Sequence, residues 1–246
     1  MGRLVVLSGP SCVGKGPLRA ALDRLHGELS GRLAKFVLYD SRGPRPGERD
    51  GVDYHFRSRE QIEALRDREG MSVFEVRGDL QAMDRRELAG MLEASDVLFE
   101  GNPFIGGDLL DWAKSHERAC LSVFLSPLAR DEVAALTSGP NCVCLGDLLT
   151  EMMRRKLLRR VKRQKGGVSL ADLENIEIRA GSAYDELKQA WRFDYVIPNH
   201  DGEDSEHWDA FYYPVGDARK ALLAFADLLA GRASVYVEQW ERDLIR

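Results

Sequence analysis

The sequence predicts an α/β fold built around a parallel sheet. Short apolar runs alternate with amphipathic, helix-like ones along the 246 residues, the pattern of strands covered by crossover helices. The first run, LVVLS, opens directly into a glycine-rich turn and then a helical pattern. With 44% hydrophobic residues, the chain can bury the core of one large domain, or of one domain with an inserted lobe.

Leu4–Ser8 reads as a buried strand, followed by the turn and a helix over residues 15–29. Residues 35–39 are expected as a second strand, and 43–51 as a connection rich in proline, glycine and charge. Residues 58–68 start on Ser58 with Gln61 three positions on, a capping-box signature. Met71–Val76 is a candidate strand and 84–94 a helix. DVLFE, 96–100, reads as a buried strand ending in a carboxylate. A helix over 108–116, a core strand over 120–125 and a last strand over 194–198 complete the alternation. Residues 150–167, TEMMRRKLLRRVKRQKGG, are densely basic and lead into a helical pattern reaching about Arg192. A polar, acidic stretch, HDGEDSEHWDAFYYP, precedes a final helix over 217–230, with Gly231 placed as its left-handed cap.

The net charge of −5 argues against a chain whose main task is coating nucleic acid. No apolar run approaches the roughly 20 residues needed to span a bilayer. The N-terminus enters a strand without a signal-like segment, so the expected location is cytoplasmic. Cys12, Cys120, Cys142 and Cys144 form neither a disulfide framework nor a metal-ligand pattern, and are expected as reduced thiols.

Two segments carry chemistry. Gly9, Pro10, Ser11, Cys12, Val13, Gly14 and Lys15 read G-x-x-x-x-G-K between a strand and a helix, the context that gives the motif meaning. Glycines let backbone N–H groups turn inward around an anion, with the positive end of a helix behind them. Lys15 then supplies a movable charge to the phosphates. Gly16 and Pro17 stand where a hydroxyl residue normally follows to contact Mg²⁺. Mg²⁺ keeps several waters, so it can still be held through water and phosphate oxygens. Pro17 is tolerated in a first helical turn. In the second segment, SRGPRPGERDGVDYHF, Arg42 and Arg45 lie three apart in a proline-stiffened loop. Their planar guanidinium forks suit phosphate, and Tyr54 can add a neutral donor at the same oxygens.

This second segment closely resembles the monophosphate-binding segment of guanylate kinases, T-R-x-P-R-x-G-E-x-(D/N)-G-x-D-Y-x-F. SGPSCVGKG also looks like that family's phosphate loop, whose Lys can be followed by Gly. Weaker similarity in VFE, DVLFE, SVFLSP and RAGSAYDELKQAWRFDYVIPN extends the resemblance over residues 4–199.

The resemblance implies a P-loop, three-layer α/β/α domain spanning 1–246 with a parallel core sheet. It also implies a monophosphate-binding lobe at about 36–92, a helical lid with an insertion at about 128–180, and a helical tail at about 201–246. The 38 residues between Pro127 and Gly166 are about twice the family's usual count. The implied activity is transfer of the ATP γ-phosphoryl group to GMP or dGMP, with Mg²⁺, and nucleotides as the partners. Lys15, Arg42 and Arg179 are the implied catalytic residues, and the loop through Gly16 binds ATP. Arg42, Arg45 and Tyr54 grip the GMP phosphate, while Glu75 accepts from the guanine N1–H and amine. Glu100 stands where a family Asp closes a core strand and can order Mg²⁺-bound water. Asn102 replaces a second family Asp.

Where the family has a base-reading Ser, this chain has Leu38, and RGDLQAMD is shorter than the family's GNYYGT-like segment, with Gln81 at the tyrosine place. These departures keep two alternatives open: a different nucleotide or small phosphorylated metabolite as acceptor, or a non-catalytic module that binds a phosphoprotein. The basic run Arg154–Lys165 reads as a solvated helix face, as lid charges reaching ATP, or as a partner or nucleic-acid patch.

Overall fold

A computed structural model describes residues 1–45, 47–138 and 142–245. Pro46, one of the prolines expected to stiffen the arginine loop, lies outside them.

In chain order, β1 (Leu4–Ser8) leads through the glycine turn to α1 (Lys15–Leu25) and the short α2 (Gly27–Ser30). The single helix expected here divides at His26, which leaves helical geometry at φ −134°. The expected strand over 35–39 also divides. Its first part belongs to β2 (Leu33–Lys35), and its end to β3 (Tyr39–Asp40) in a different sheet. There follow β4 (His55–Phe56), α3 (Arg59–Glu63), β5 (Met71–Val76), β6 (Asp79–Asp84) and α4 (Arg85–Ala94). The Ser58–Gln61 capping box forms in full, although its helix is shorter than expected. β6, absent from the elements expected above, lies within RGDLQAMD, the segment that is shorter than the family's.

Then come β7 (Asp96–Gly101), α5 (Pro103–Ser115), β8 (Cys120–Ser126) and α6 (Arg130–Thr137). α5 starts five residues before its expected position because Asn102 caps it and Pro103 fills its first turn. The remainder is α7 (Leu145–Lys165), α8 (Leu170–Gly181), α9 (Ala183–Leu187), β9 (Tyr195–Pro198) and α10 (Gly216–Leu229). Gly231 adopts φ 71° after α10, as its position implied. The tail is less helical than expected. Beyond α10 the chain is irregular, and Glu238 pairs with Val196 at the sheet edge.

The five-stranded sheet has the order β2-β7-β1-β8-β9, with every pairing parallel. Alternation along β1 sends Leu4 and Val6 to one face, and Val5 and Leu7 to the other. The first face packs on α4, α5 and α7 through Leu88, Ile105 and Leu149. The second packs on α1 and α10 through Leu18, Leu22 and Phe225. The result is the three-layer α/β/α arrangement that a parallel sheet requires. A second sheet, β4-β3-β6-β5, projects beside it with a small core of its own around Ile62, Leu80 and Ala82. Between the two sheets lies the cleft.

Candidate active site

The cleft has a volume of about 650 Å³ and is open to solvent. One end is formed by the turn after β1. Gly9 has φ 152°, and a Cβ there would lie 2.3 Å from the Leu125 carbonyl oxygen, so glycine is required. Gly14, at φ 103°, caps α1 and is hemmed in by the Asn199 amide and the Trp208 ring. The Leu18 N–H makes a helical bond to the Gly14 carbonyl, so Pro17 falls in the first turn, where its missing N–H leaves no gap.

The Lys15 Nζ donates to the carbonyl oxygens of Gly9 (2.7 Å) and Pro10 (2.8 Å). Burial pushes its pKa below the ordinary lysine value, against the opposing pull of Glu203 and Glu100. Gly9, Ser11, Cys12, Lys15 and Gly16 line the cleft, while Val13 packs into the core. Glu100, at the end of β7, faces the same space; burial raises its pKa despite the nearby Lys15 and Arg19.

The other end is formed by the arginine loop and the second sheet. Arg42 makes a two-pronged pair with Glu48 (2.6 and 2.8 Å), and its Nε lies 3.4 Å from Asp40. Its guanidinium also stacks over the Tyr54 ring, 5.0 Å from the centroid. Arg45 stands 3.8 Å from the same Glu48 carboxylate. An incoming anion therefore competes with Glu48 for both arginines. Burial and the Asp40 charge push the Tyr54 hydroxyl up to about 12, so it remains a proton donor. Gln81 Nε2 donates to Asp40 Oδ2 at 2.8 Å. Leu38 is buried, and forms an apolar wall of the cleft.

Arg179, on α8, joins the two ends. It is buried and lines the cleft, and its guanidinium makes no hydrogen bond or ion pair among the described residues. Burial and then the Arg42 charge lower its pKa, while Glu203 and Glu186 oppose them. Lys15, Arg42, Arg45, Tyr54, Gln81, Glu100 and Arg179 thus share one cavity.

Glu75 is not in that cavity. Its side chain is 64% exposed and faces a separate shallow groove beside Arg59 and Glu63. Strand alternation turns Phe74 and Val76 inward and Glu75 out. The departure of Asn102 from the family Asp also has a structural use. Its Oδ1 caps the Phe104 N–H, and its amide donates to Glu186, which is buried against Arg77.

Several polar cleft residues carry no signal in the sequence, among them Asp40, Arg77, Asp79, Arg160 and Glu203. Arg160 was visible only as one charge in a basic run. In the folded chain Lys156, Arg159, Arg160 and Arg163 form one face of α7, a helical spacing. That face pairs with Asp204, Glu203 and Asp209 of the acidic stretch after β9. The same stretch backs the phosphate loop, with Glu203 N–H on the Cys12 carbonyl (3.2 Å) and Asn199 on that of Val13 (2.8 Å). The periodic basic face and the acidic run were each legible, but their pairing was not.

The guanylate kinase family model matches residues 1–75, ending where the β5–β6 turn begins. A guanylate kinase from Synechococcus sp. is 32% identical over 219 residues, covering 87% of this chain and 83% of the relative. One from Thiobacillus denitrificans is 31% identical, covering 81% and 79%, and one from Thermus thermophilus 32%, covering 80% and 74%. A crystal structure of guanylate kinase from Anaplasma phagocytophilum matches with TM-score 0.52 at 19% identity over 99% of this chain and 93% of that one. The fold agrees with that structure, and the sequence similarity runs well past the phosphate loop: this chain belongs to the guanylate kinase family.

Proposed function

We propose that the chain transfers the γ-phosphoryl group of ATP to the phosphate of GMP or dGMP, directly and without a covalent enzyme intermediate. The observation that carries this reading is the single cleft in which Lys15, the Arg42/Arg45 clamp and the unpaired Arg179 meet. Phosphoryl transfer needs little covalent help from a protein; it needs two substrates in line and charge stabilised between them.

The triphosphate lies along Gly9–Gly16, with Lys15 released from the Gly9 and Pro10 carbonyls to reach it. The acceptor phosphate displaces Glu48 from Arg42 and Arg45, with Tyr54 donating to the same oxygens. Arg179, between the two, stabilises the transferring group. The second sheet acts as the monophosphate lobe and α7–α8 as the lid, and Arg160 is the lid charge that faces the triphosphate.

The donor set fits Mg²⁺ held through water. Gly16 offers no hydroxyl, but Glu100 is a carboxylate facing the loop with no hydrogen-bond partner among the described residues. When bound, the ion neutralises charge on the phosphate oxygens. The expected oxygen ligands are water and phosphate, with Glu100 orienting the water.

The test is ATP consumption against a panel of nucleoside monophosphates, with Lys15→Ala as control. Turnover confined to GMP and dGMP, and lost by about 10³-fold in the control, supports the assignment. Lys15-dependent turnover with another acceptor moves the specificity, a result that the apolar Leu38 wall would explain. Phosphopeptide binding without turnover would overturn it.

A further inference from the structure

The carboxylate assigned to the base by resemblance, Glu75, faces away from the cleft, and a different carboxylate faces in. The turn is the cause. Arg77 and Gly78, at φ 56° and 86°, form a two-residue connection between β5 and β6 with both residues left-handed. Such a turn sets the register: Val76 pairs with Asp79, Glu75 with Leu80, and Phe74 with Gln81. Paired residues share a face, and faces alternate along each strand. Leu80 and Ala82 therefore pack toward Ile62, with Glu75 on their side. Asp79 and Gln81 open into the cleft.

Asp79 is also uncommitted. Among the described residues its carboxylate accepts no hydrogen bond and meets no cation within 4 Å; Arg42 and Arg59 are its more distant counter-charges. Arg59 is instead occupied with the Gly78 carbonyl, at 2.8 Å. Asp40, the neighbouring carboxylate, is spent: it takes the Arg42 N–H (3.0 Å), the Gln81 amide (2.8 Å) and the Arg42 guanidinium. One acceptor-only group is left free at the end of the cleft remote from the phosphate loop.

We propose that Asp79 is the residue that reads the acceptor base, taking the adjacent N1–H and exocyclic amine of guanine on its two carboxylate oxygens. This rests on reading the cleft as a nucleoside-monophosphate site. A carboxylate accepts and cannot donate. Guanine presents two neighbouring donors to it. Adenine presents an acceptor at N1, and uracil flanks its single N–H with two carbonyls, so both are repelled. Hypoxanthine keeps N1–H but lacks the amine, which makes GMP against IMP the direct measure of the second hydrogen bond. Gln81, fixed by Asp40, sits on the same face and limits where the base can lie.

The experiment compares wild type, Asp79→Asn, Asp79→Glu and Glu75→Gln in steady-state kinetics with GMP and with IMP, and in thermal melts. Asp79→Asn is expected to raise the KM for GMP by about 10- to 100-fold, the loss typical of charge-assisted hydrogen bonds. Its KM for ATP and its melting temperature stay near wild type, and its preference for GMP over IMP collapses. Asp79→Glu keeps a carboxylate and retains that preference, which separates base reading from a folding defect. Glu75→Gln stays within about twofold of wild type on every readout, as an exposed side chain off the cleft should. The proposal is overturned if Asp79→Asn leaves KM and preference unchanged, or if Glu75→Gln carries the loss. A wild-type protein that does not phosphorylate GMP overturns the underlying reading instead, and the two failures are told apart by that first measurement.

Discussion

The two ends of the cleft are built on different terms. At the loop end, the site is made by backbone: Gly9 and Gly14 in left-handed or otherwise strained conformations, with α1 behind them. Its parts lie within seven consecutive residues, and almost any strand-turn-helix carrying them would form the same cradle. At the hairpin end, the site is made by the faces of two paired strands. Which side chain looks inward depends on register, and register depends on the length of one turn. A motif of the first kind survives substitution around it, whereas an arrangement of the second kind can be rewired by losing a few loop residues. The shortened RGDLQAMD segment, with its two-residue turn, is such a rewiring.

The sharpest way to break this comparison is at Arg42. Arg42→Lys keeps the charge but loses the fork that holds both Glu48 oxygens. The expected result is a fall of about 10²-fold in kcat/KM for GMP, with the ATP KM little changed. A loss shared equally between the two substrates would mean that the ends of the cleft are not separable.

A smaller effect is expected at the loop end. Glu203, pinned by Arg160 at 2.6 Å, puts a negative charge beside the proposed triphosphate position. Burial pushes its carboxyl up, but Arg160 and Lys15 outweigh this and hold it below the usual range, so it stays ionised near neutral pH. Glu203→Gln should lower the KM for ATP by about fivefold, the scale of a partly screened like-charge contact, while leaving that for GMP alone. A raised ATP KM would instead make Glu203 a positioning residue for Arg160.

The smallest effect belongs to His200, which opens the acidic stretch and bridges Glu132 and Asp217 at 2.8 and 2.6 Å. Burial opposes its charge, but the two carboxylates raise its pKa above the ordinary value. A raised histidine contributes stability that is fully present below its unfolded pKa of about 6.5 and is lost as pH rises through the folded value. Melting temperatures of wild type and His200→Gln should therefore converge as pH rises from about 6 to 8.5. Parallel curves over that range would show that the bridge does not titrate with folding.

Local chemistry made much of the molecule legible in advance. The apolar runs in LVVLS, DVLFE and CLSVFLS located the buried strands because a strand covered on both faces is apolar nearly throughout. Ser58 and Gln61 marked where α3 starts, and the Gly9–Lys15 spacing pointed to a candidate anion cradle held within one short segment. Arg42, Arg45 and Tyr54 were legible because one short loop holds them. Glu75 was misplaced, and Asp79 and Glu203 were missed, for a common reason. Each depends on a partner far along the chain or on a register that composition does not reveal.

The acidic stretch at 201–209 and the basic face of α7 lie more than 35 residues apart, and only the return of β9 to the sheet edge brings them together over the phosphate loop. Residue types and short spacings were enough to predict a parallel α/β domain and to single out Lys15, Arg42 and Arg45 as candidate phosphate contacts. The choice of which carboxylates face the cleft fell to strand pairing and helix docking, because a side chain's direction is settled by the element that packs against it.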